Sequence, residues 1–171
     1  MTQKSLTAVY LRRGKEESLE RCHPWIFSGA IERITEGLKP LSEGDIVDVY
    51  TKQGNFIARG HYQIGSIAVR VLSFEEESID QAWWNRRIAA AKALRESLGM
   101  VDNAQTSCYR LIHGEGDLLP GLVVDIYERT AVVQCHSVGM YHSRSQIAEA
   151  IREAYGDRIE AIYDKSSQTL P

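Results

Sequence analysis

Cysteine is scarce in this chain: Cys22, Cys108 and Cys135 lie far apart and never fall in a C-x-x-C pair. Their odd number and wide spacing exclude a disulfide framework and a zinc site, so the thiols read as free and buried. Long apolar runs are missing as well. Nothing approaches the roughly 20 residues that cross a bilayer as a helix, and residues 1–5 lead directly into a strand-like segment instead of a signal-peptide core. The chain therefore reads as cytoplasmic, with neither a membrane nor a metal as partner. An excess of positive charge is also absent, since 20 Lys and Arg face 23 Asp and Glu, for a net charge of -3. That balance excludes a polycation that binds nucleic acid over its whole surface. The charge is uneven, with 10 basic against 8 acidic residues up to Phe74 and 10 against 15 from Glu75 onward. A nucleic-acid-facing surface, if the chain has one, belongs to the first half. There is no internal repeat and no low-complexity segment.

What is present is an ordinary globular balance, 43% apolar and 25% charged over 171 residues, enough for one domain or two small ones. Residues 6–13 begin as a strand, and Gly14 to Arg21 reads as a short helix that His23-Pro24 ends. Three strands are predicted at Asp45–Thr51, Asn55–Tyr62 and Ile67–Ser73, separated by Gln53-Gly54 and Gly65-Ser66 turns. In the last, Ile67, Val69 and Val71 share one face. Short strands at this spacing imply a small β-barrel.

The run Glu75-Glu76-Glu77 separates this block from a helix whose start is signalled by Ser78 with Gln81 three residues on, a capping-box arrangement. Trp84, Ile88, Ala91, Leu94 and Leu98 then recur at helical spacing as an inward stripe, and Gly99 supplies the stop. Strands are predicted near 108–113, 121–127 and 130–136, followed by one helix near 140–155 with Ile147, Ile151 and Ala154 inward, closed by Gly156, and a strand near 159–164. Leu119-Pro120-Gly121-Leu122 has the composition of a type II turn. The order of elements is that of a small α+β layer, helices on one sheet. The polar segment Lys165 to Pro171 reads as a boundary placed in a linker.

Two segments carry chemistry. Gly114-Glu115-Gly116 opens like a dinucleotide fingerprint, but the third glycine is missing and Pro120 blocks the receiving helix. What remains is a loop that holds Glu115 and Asp117 near Arg110 and His113, either as a hairpin with a local arginine–carboxylate pair or as an interdomain or active-site loop. The other segment, His23-Pro24-Trp25-Ile26-Phe27, sets a histidine and two aromatics around a proline bend. Trp25 and Phe27 are simplest as core residues closing the barrel. Alternatively His23 or Trp25 stays exposed and stacks on an unpaired base, a reading favoured by the neighbouring Arg12, Arg13, Lys15 and Arg21.

The segment from Tyr109 through Asp125, with its Gly-Glu-Gly-Asp and Leu-Pro-Gly-Leu order, resembles one in a family of S-adenosylmethionine-dependent RNA methyltransferases that carry an N-terminal PUA domain and modify cytosine at carbon 5 in large-subunit ribosomal RNA. Leu11 through Ile31, Gly44 to Val49, Gly54 to Tyr62 and Ile67 to Leu72 are similar to the opening and the remaining strands of that family's PUA domain. The resemblance implies an α+β fold with a PUA-like small β-barrel at 1–74, a central α+β domain at 75–165, and at 166–171 the start of a linker to a catalytic domain of Rossmann type that this chain lacks. It implies RNA as partner, ribosomal in origin, with Arg12, Arg13, Lys15, Arg21, His23, Trp25, Arg59 and Arg70 as contacts; Arg70 serves equally well as a salt bridge within the sheet. The family's methyl-donor glycine loop and cysteine nucleophile have no counterpart here, so the chain is expected to hold no cofactor, S-adenosylmethionine belonging to the whole protein, and to be inactive alone. The competing readings are a stand-alone RNA-binding module or adaptor, and a protein-interaction domain whose acidic second block docks a basic partner.

Overall fold

A computed structural model describes residues 6–168. The chain divides into two compact units, 1–77 and 78–171, each with its own sheet and both of α+β character.

In the first unit β1 (Thr7–Leu11) leads through α1 (Glu17–Glu20) to β2 (Trp25–Phe27), and a single 3-10 turn at Ser28–Ala30 passes the chain to β3 (Ile31–Thr35). Then come β4 (Ile46–Tyr50), β5 (Phe56–Tyr62) and β6 (Ile67–Ser73). The strands pair in the order β2-β6-β5-β4-β1-β3, antiparallel throughout except for β1 with β4. The two edge strands, β2 and β3, are consecutive in sequence. Laid flat, six strands would hold their edges about 24 Å apart, whereas the link from Phe27 to Ile31 can span at most about 14 Å. The sheet must therefore curl into a half-barrel, and the Arg12 N–H reaches the Ala30 carbonyl at 2.8 Å.

Curling turns one face of every strand inward, and the period-2 pattern of the sequence fills it. Val9 and Leu11, Val47 and Val49, and Val69 and Val71 join Leu19, Ile26 and Ala58 in one buried cluster, each large aliphatic side chain contributing about 1.5–3 kcal/mol. Another cross-strand row runs through Arg33, Tyr10, Tyr50 and Phe56 in register. The Arg33 guanidinium lies 3.5 Å from the Tyr10 ring centre, Tyr10 stacks on Tyr50 at 5.4 Å, and Phe56 meets Tyr50 edge-on at 5.9 Å. Such pairs fix register between β3, β1, β4 and β5. β2 and β3 are absent from the sequence reading: β2 has only three residues, and Glu32, Arg33 and Thr35 give β3 no apolar alternation.

The second unit opens on α2 (Gln81–Ser97). Its N-cap is Asp80, whose carboxylate accepts the Trp83 N–H at 2.9 Å, and the Ser78/Gln81 capping box is not used. The antiparallel strands β7 (Cys108–His113), β8 (Leu122–Tyr127) and β9 (Thr130–Cys135) follow. Instead of one helix near 140–155 there are two, α3 (Val138–His142) and α4 (Arg144–Tyr155), broken at Ser143, which leads to β10 (Ala161–Asp164) parallel to β9. A parallel neighbour requires such a crossover. Ile147, Ala150, Ile151 and Tyr155 are the buried residues of α4, in place of the expected Ala154, which is only half-buried. Leu119-Pro120-Gly121-Leu122 does form the turn, with Gly121 at φ +85° and Leu122 N–H bonded to the Leu119 carbonyl. The cysteine expectation fails in part: Cys135 is buried, and desolvation pushes its thiol up, but Cys22 and Cys108 are exposed.

Gly60 sits where β5 and β6 approach most closely. A Cβ there would lie 2.2 Å from the Arg70 carbonyl oxygen, and backbone has no rotamer by which to retreat. Gly60→Ala should cost about 1–3 kcal/mol, read by hydrogen exchange as lost protection across β5 and β6 with unit 78–171 unaffected; unchanged protection would remove the packing argument. In the second unit the Tyr109 and Tyr155 hydroxyls are 2.9 Å apart, and burial pushes both above the ordinary tyrosine range. A raised folded value means that the stabilisation is complete below about pH 10 and is lost as pH rises through the folded value. Denaturation midpoints of Tyr155→Phe should therefore decline less above pH 10 than those of the parent, and parallel curves would contradict this.

Candidate nucleic-acid interface

On the first unit, α1 and the β2–β3 link bring together residues far apart in sequence. Lys15, Ser18, Trp25, Ile26, Phe27, Gly29 and Ala30 line a cleft of about 340 Å³. The alternation of β2 sets their exposure: Ile26 is in the core, Trp25 is half-buried, and Phe27 is 49% exposed. Phe27 is thus not a barrel-closing core residue; its ring stands edge-on to Trp25 at 6.4 Å, and His23 is edge-on to Trp25 at 5.8 Å. Proline sets this bend, and the Trp25 N–H donates to His23 Nδ1 at 3.2 Å, which orients the exposed imidazole.

The predicted cations divide into three kinds. Arg13, Lys15 and Arg21 are exposed and have no carboxylate partner among the described residues. Arg12 is exposed and tied by its Nε–H to the Ile31 carbonyl at 3.1 Å. Arg59 leaves the candidate set. It is 3% exposed and buried against Asp48 in a two-pronged pair at 2.6 and 3.1 Å, and it also donates to the Glu77 carbonyl. Withdrawing it to meet a phosphate would strand a buried carboxylate. Arg70 is half-buried and donates to Gln63 Oε1 at 2.9 Å, in the connection between β5 and β6, and in the sheet it pairs across to Trp25.

On the second unit the loop assignments are rearranged. Arg110 does not pair with Glu115 or Asp117. Its Nε and Nη2 donate to Asp125 at 2.8 and 3.0 Å, directly across the β7–β8 ladder, and Nη1 lies 3.4 Å from His113 Nδ1. Asp117 is instead held by Arg95 of α2 through two N–H groups, one at 2.8 Å, with both side chains buried. Asp117 also accepts the His113 N–H at 2.6 Å, and Arg95 Nε–H caps the Arg110 carbonyl at 3.0 Å. The inward stripe of α2 is therefore Trp84, Ile88, Ala91 and Arg95, while Leu94 and Leu98 are 49% and 61% exposed. Glu115 is exposed. The loop Gly114–Asp117 is a 3-10 turn in an antiparallel hairpin, a geometry unlike the strand–helix crossover that cradles a dinucleotide or S-adenosylmethionine, so this loop does not fit that group.

Residues 9–74 match the family model of a PUA-like domain. The PUA-like unit thus contains the cleft and the exposed cations. Over 162 residues the chain is 40% identical to "Ribosomal RNA large subunit methyltransferase I" of Photobacterium profundum, covering 94% of this chain and 39% of that protein. It spans about 40% of the length of the curated relatives it matches. Among solved structures, a protein from Streptococcus mutans assigned as a SAM-dependent methyltransferase superposes with a TM-score of 0.75 at 18% identity, over 92% of this chain and 40% of the other. A methyltransferase complexed with SAH gives 0.74 at 19%, over 91% and 40%. At those identities the likeness is one of fold, and it extends across both units of the chain.

Sequence reasoning missed Phe27, Arg95 and Asp125. Arg95 was open to discovery, because it falls eleven residues after Trp84 on the same helical stripe and is the only charged residue there; the partner of Arg110, fifteen positions away, was not. Arg95→Ala would leave Asp117 buried without a counter-charge and should destabilise the second unit by about 3–5 kcal/mol. Arg87→Ala, which removes longer bonds to the Asp117 and Leu118 carbonyls at 3.3 Å, should cost about 1 kcal/mol. Equal losses in denaturant titrations of the two variants would deny the ion pair its special place.

Proposed function

We propose that this chain is the RNA-recognising part of an S-adenosylmethionine-dependent RNA methyltransferase that acts on cytosine in large-subunit ribosomal RNA. The PUA-like unit, residues 1–74 by the sequence boundaries, meets the RNA; residues 75–165 form a central α+β domain; and 166–171 lead toward a catalytic Rossmann-type domain outside this chain. The observation that carries this reading is the exposed cluster of Arg12, Arg13, Lys15 and Arg21 beside a cleft walled by Trp25 and Phe27. Cations without carboxylate partners neutralise phosphates, and a half-exposed aromatic pair offers a stacking surface to an unpaired base. His23 borders the same surface, and Arg70 supports it from within the sheet. On this reading S-adenosylmethionine is held by residues beyond the chain, which by itself binds RNA and transfers no methyl group. The exposed members of the hairpin loop, Arg110, His113 and Glu115, face RNA or the catalytic domain, and Asp117 holds the loop in place.

A stand-alone RNA-binding module is the second reading, favoured by the completeness of the curled sheet, which buries its own core. The common claim of RNA binding is tested first. Fluorescence anisotropy with a single-stranded fragment of large-subunit ribosomal RNA, titrated at several salt concentrations, should show binding that weakens with salt. Arg12→Ala/Arg13→Ala together should reduce affinity and lower the slope of log K against log salt by about 1.4, the loss of two phosphate contacts. An unaltered slope would take both arginines out of the interface.

A further inference from the structure

The largest cleft described for the second unit includes Arg110 and His113 in its lining and shares no residue with the cleft of the PUA-like unit. It has a volume of about 630 Å³ and lies between the C-terminal half of α2 and β7, with Leu94, Leu98 and Met100 on one side and Cys108, Arg110 and His113 on the other. We infer that this cleft is a second RNA contact that takes a single unpaired nucleotide by stacking, rather than through phosphate charge. The inference rests on the RNA-binding reading of the chain.

Three observations select that occupant. The first is the apolar wall. Leu94, Leu98 and Met100 are 49%, 61% and 41% exposed, on one side of one cleft, and a contiguous exposed apolar surface marks a place where something binds. The second is the state of the β7 edge. An edge strand invites an extended peptide to add to the sheet, but three backbone groups of β7 are already engaged by partners outside the sheet. The Arg110 carbonyl accepts Arg95 Nε–H at 3.0 Å, the His113 N–H donates to Asp117 at 2.6 Å, and the Cys108 N–H donates to Thr106 Oγ1 at 3.3 Å. Strand addition would have to break these bonds, which favours an occupant that enters with a side group or a ring.

The third is the charge arrangement. At the floor Arg95 and Asp117 neutralise each other, buried to 10% and 4% side-chain exposure, so nothing there calls for an ion. At the rim Arg110 spends its Nε and Nη2 edge on Asp125 while its side chain is 46% exposed. A guanidinium pinned by its edge keeps its flat face available, and such planes stack on unpaired bases. His113, with its Nδ1 3.4 Å from Arg110 Nη1, adds an exposed aromatic ring to the same cleft. A cleft of this volume is in the range of small-molecule sites and is large enough for one nucleotide.

Because the contact is made by stacking on a neutralised pair, it should respond to salt differently from the PUA-like surface. Leu98→Ser, a neutral change at an exposed position, is expected to reduce affinity for the single-stranded fragment on the order of tenfold, by the same factor at every salt concentration and with an unchanged thermal midpoint. Photo-crosslinking with a 4-thiouridine-substituted fragment should place adducts on Met100, Cys108 or Tyr109 as well as within residues 9–74. Absence of RNA binding by the parent chain would overturn the RNA reading and this inference together. If the parent binds, Arg12→Ala/Arg13→Ala weakens it, but Leu98→Ser is silent and adducts stay within 9–74, this inference alone falls. If Leu98→Ser leaves RNA affinity intact and abolishes self-association of the parent in sedimentation, the apolar wall is a protein interface and the inference is likewise overturned.

Discussion

The buried pair of Arg95 and Asp117 is the interaction on which the second unit is organised. One guanidinium ties three things together: it neutralises a carboxylate inside the protein, it caps the outward carbonyl of Arg110, and it fixes α2 against the β7 edge. The carboxylate in turn accepts the His113 N–H and so shapes the 3-10 turn of the hairpin loop. A buried pair contributes less net stability than its Coulomb attraction suggests, because both ions are desolvated. Its effect is directional. It admits one register between helix and hairpin, which sets the spacing between Leu98 on one wall of the large cleft and Arg110 on the other.

The PUA-like unit solves a similar problem with Asp48 and Arg59. These two residues face each other across the β4–β5 ladder and continue to the Glu77 carbonyl, anchoring the segment that follows β6. In both units, therefore, an arginine is consumed inside the fold, and in the first it is one that the sequence offers as a candidate for nucleic-acid contact. What is left on the surface, Arg12, Arg13, Lys15 and Arg21, comes from the segment that follows β1 and the flanks of α1, and none of the four is in an ion pair among the described residues. The division of labour between buried and exposed arginines matters more here than the net charge, which is negative.

The class of the fold was legible in the alternation of Val9 and Leu11, of Val47 and Val49, and of Val69 and Val71, and in the helical stripe from Trp84 to Ala91. The type II turn at Pro120-Gly121 was legible for a local reason, since each residue carries its own conformational preference. The short strands β2 and β3 were not, because three residues are too few for a period and β3 is mostly exposed. Leu94 and Leu98 were placed inward because helical spacing continues the stripe through them; the burial of Arg95 rotates the contact face by one residue, and no periodicity of apolar residues records that. At the candidate surface, His23, Trp25 and the basic residues around them were identifiable from their chemistry, whereas Phe27 joined them only through the alternation of β2.

By itself the sequence determined which segments alternate, where the chain must bend, and which residues carry charge, since each of these depends on neighbours within a few positions. The tertiary structure decided which charges are available. Arg59 is withdrawn by a carboxylate 11 positions away, Arg95 by one 22 positions away, and Arg110 is neutralised by one 15 positions away. Those separations are set by strand pairing and helix packing, and a buried ion is held only where the complete fold supplies its counter-charge.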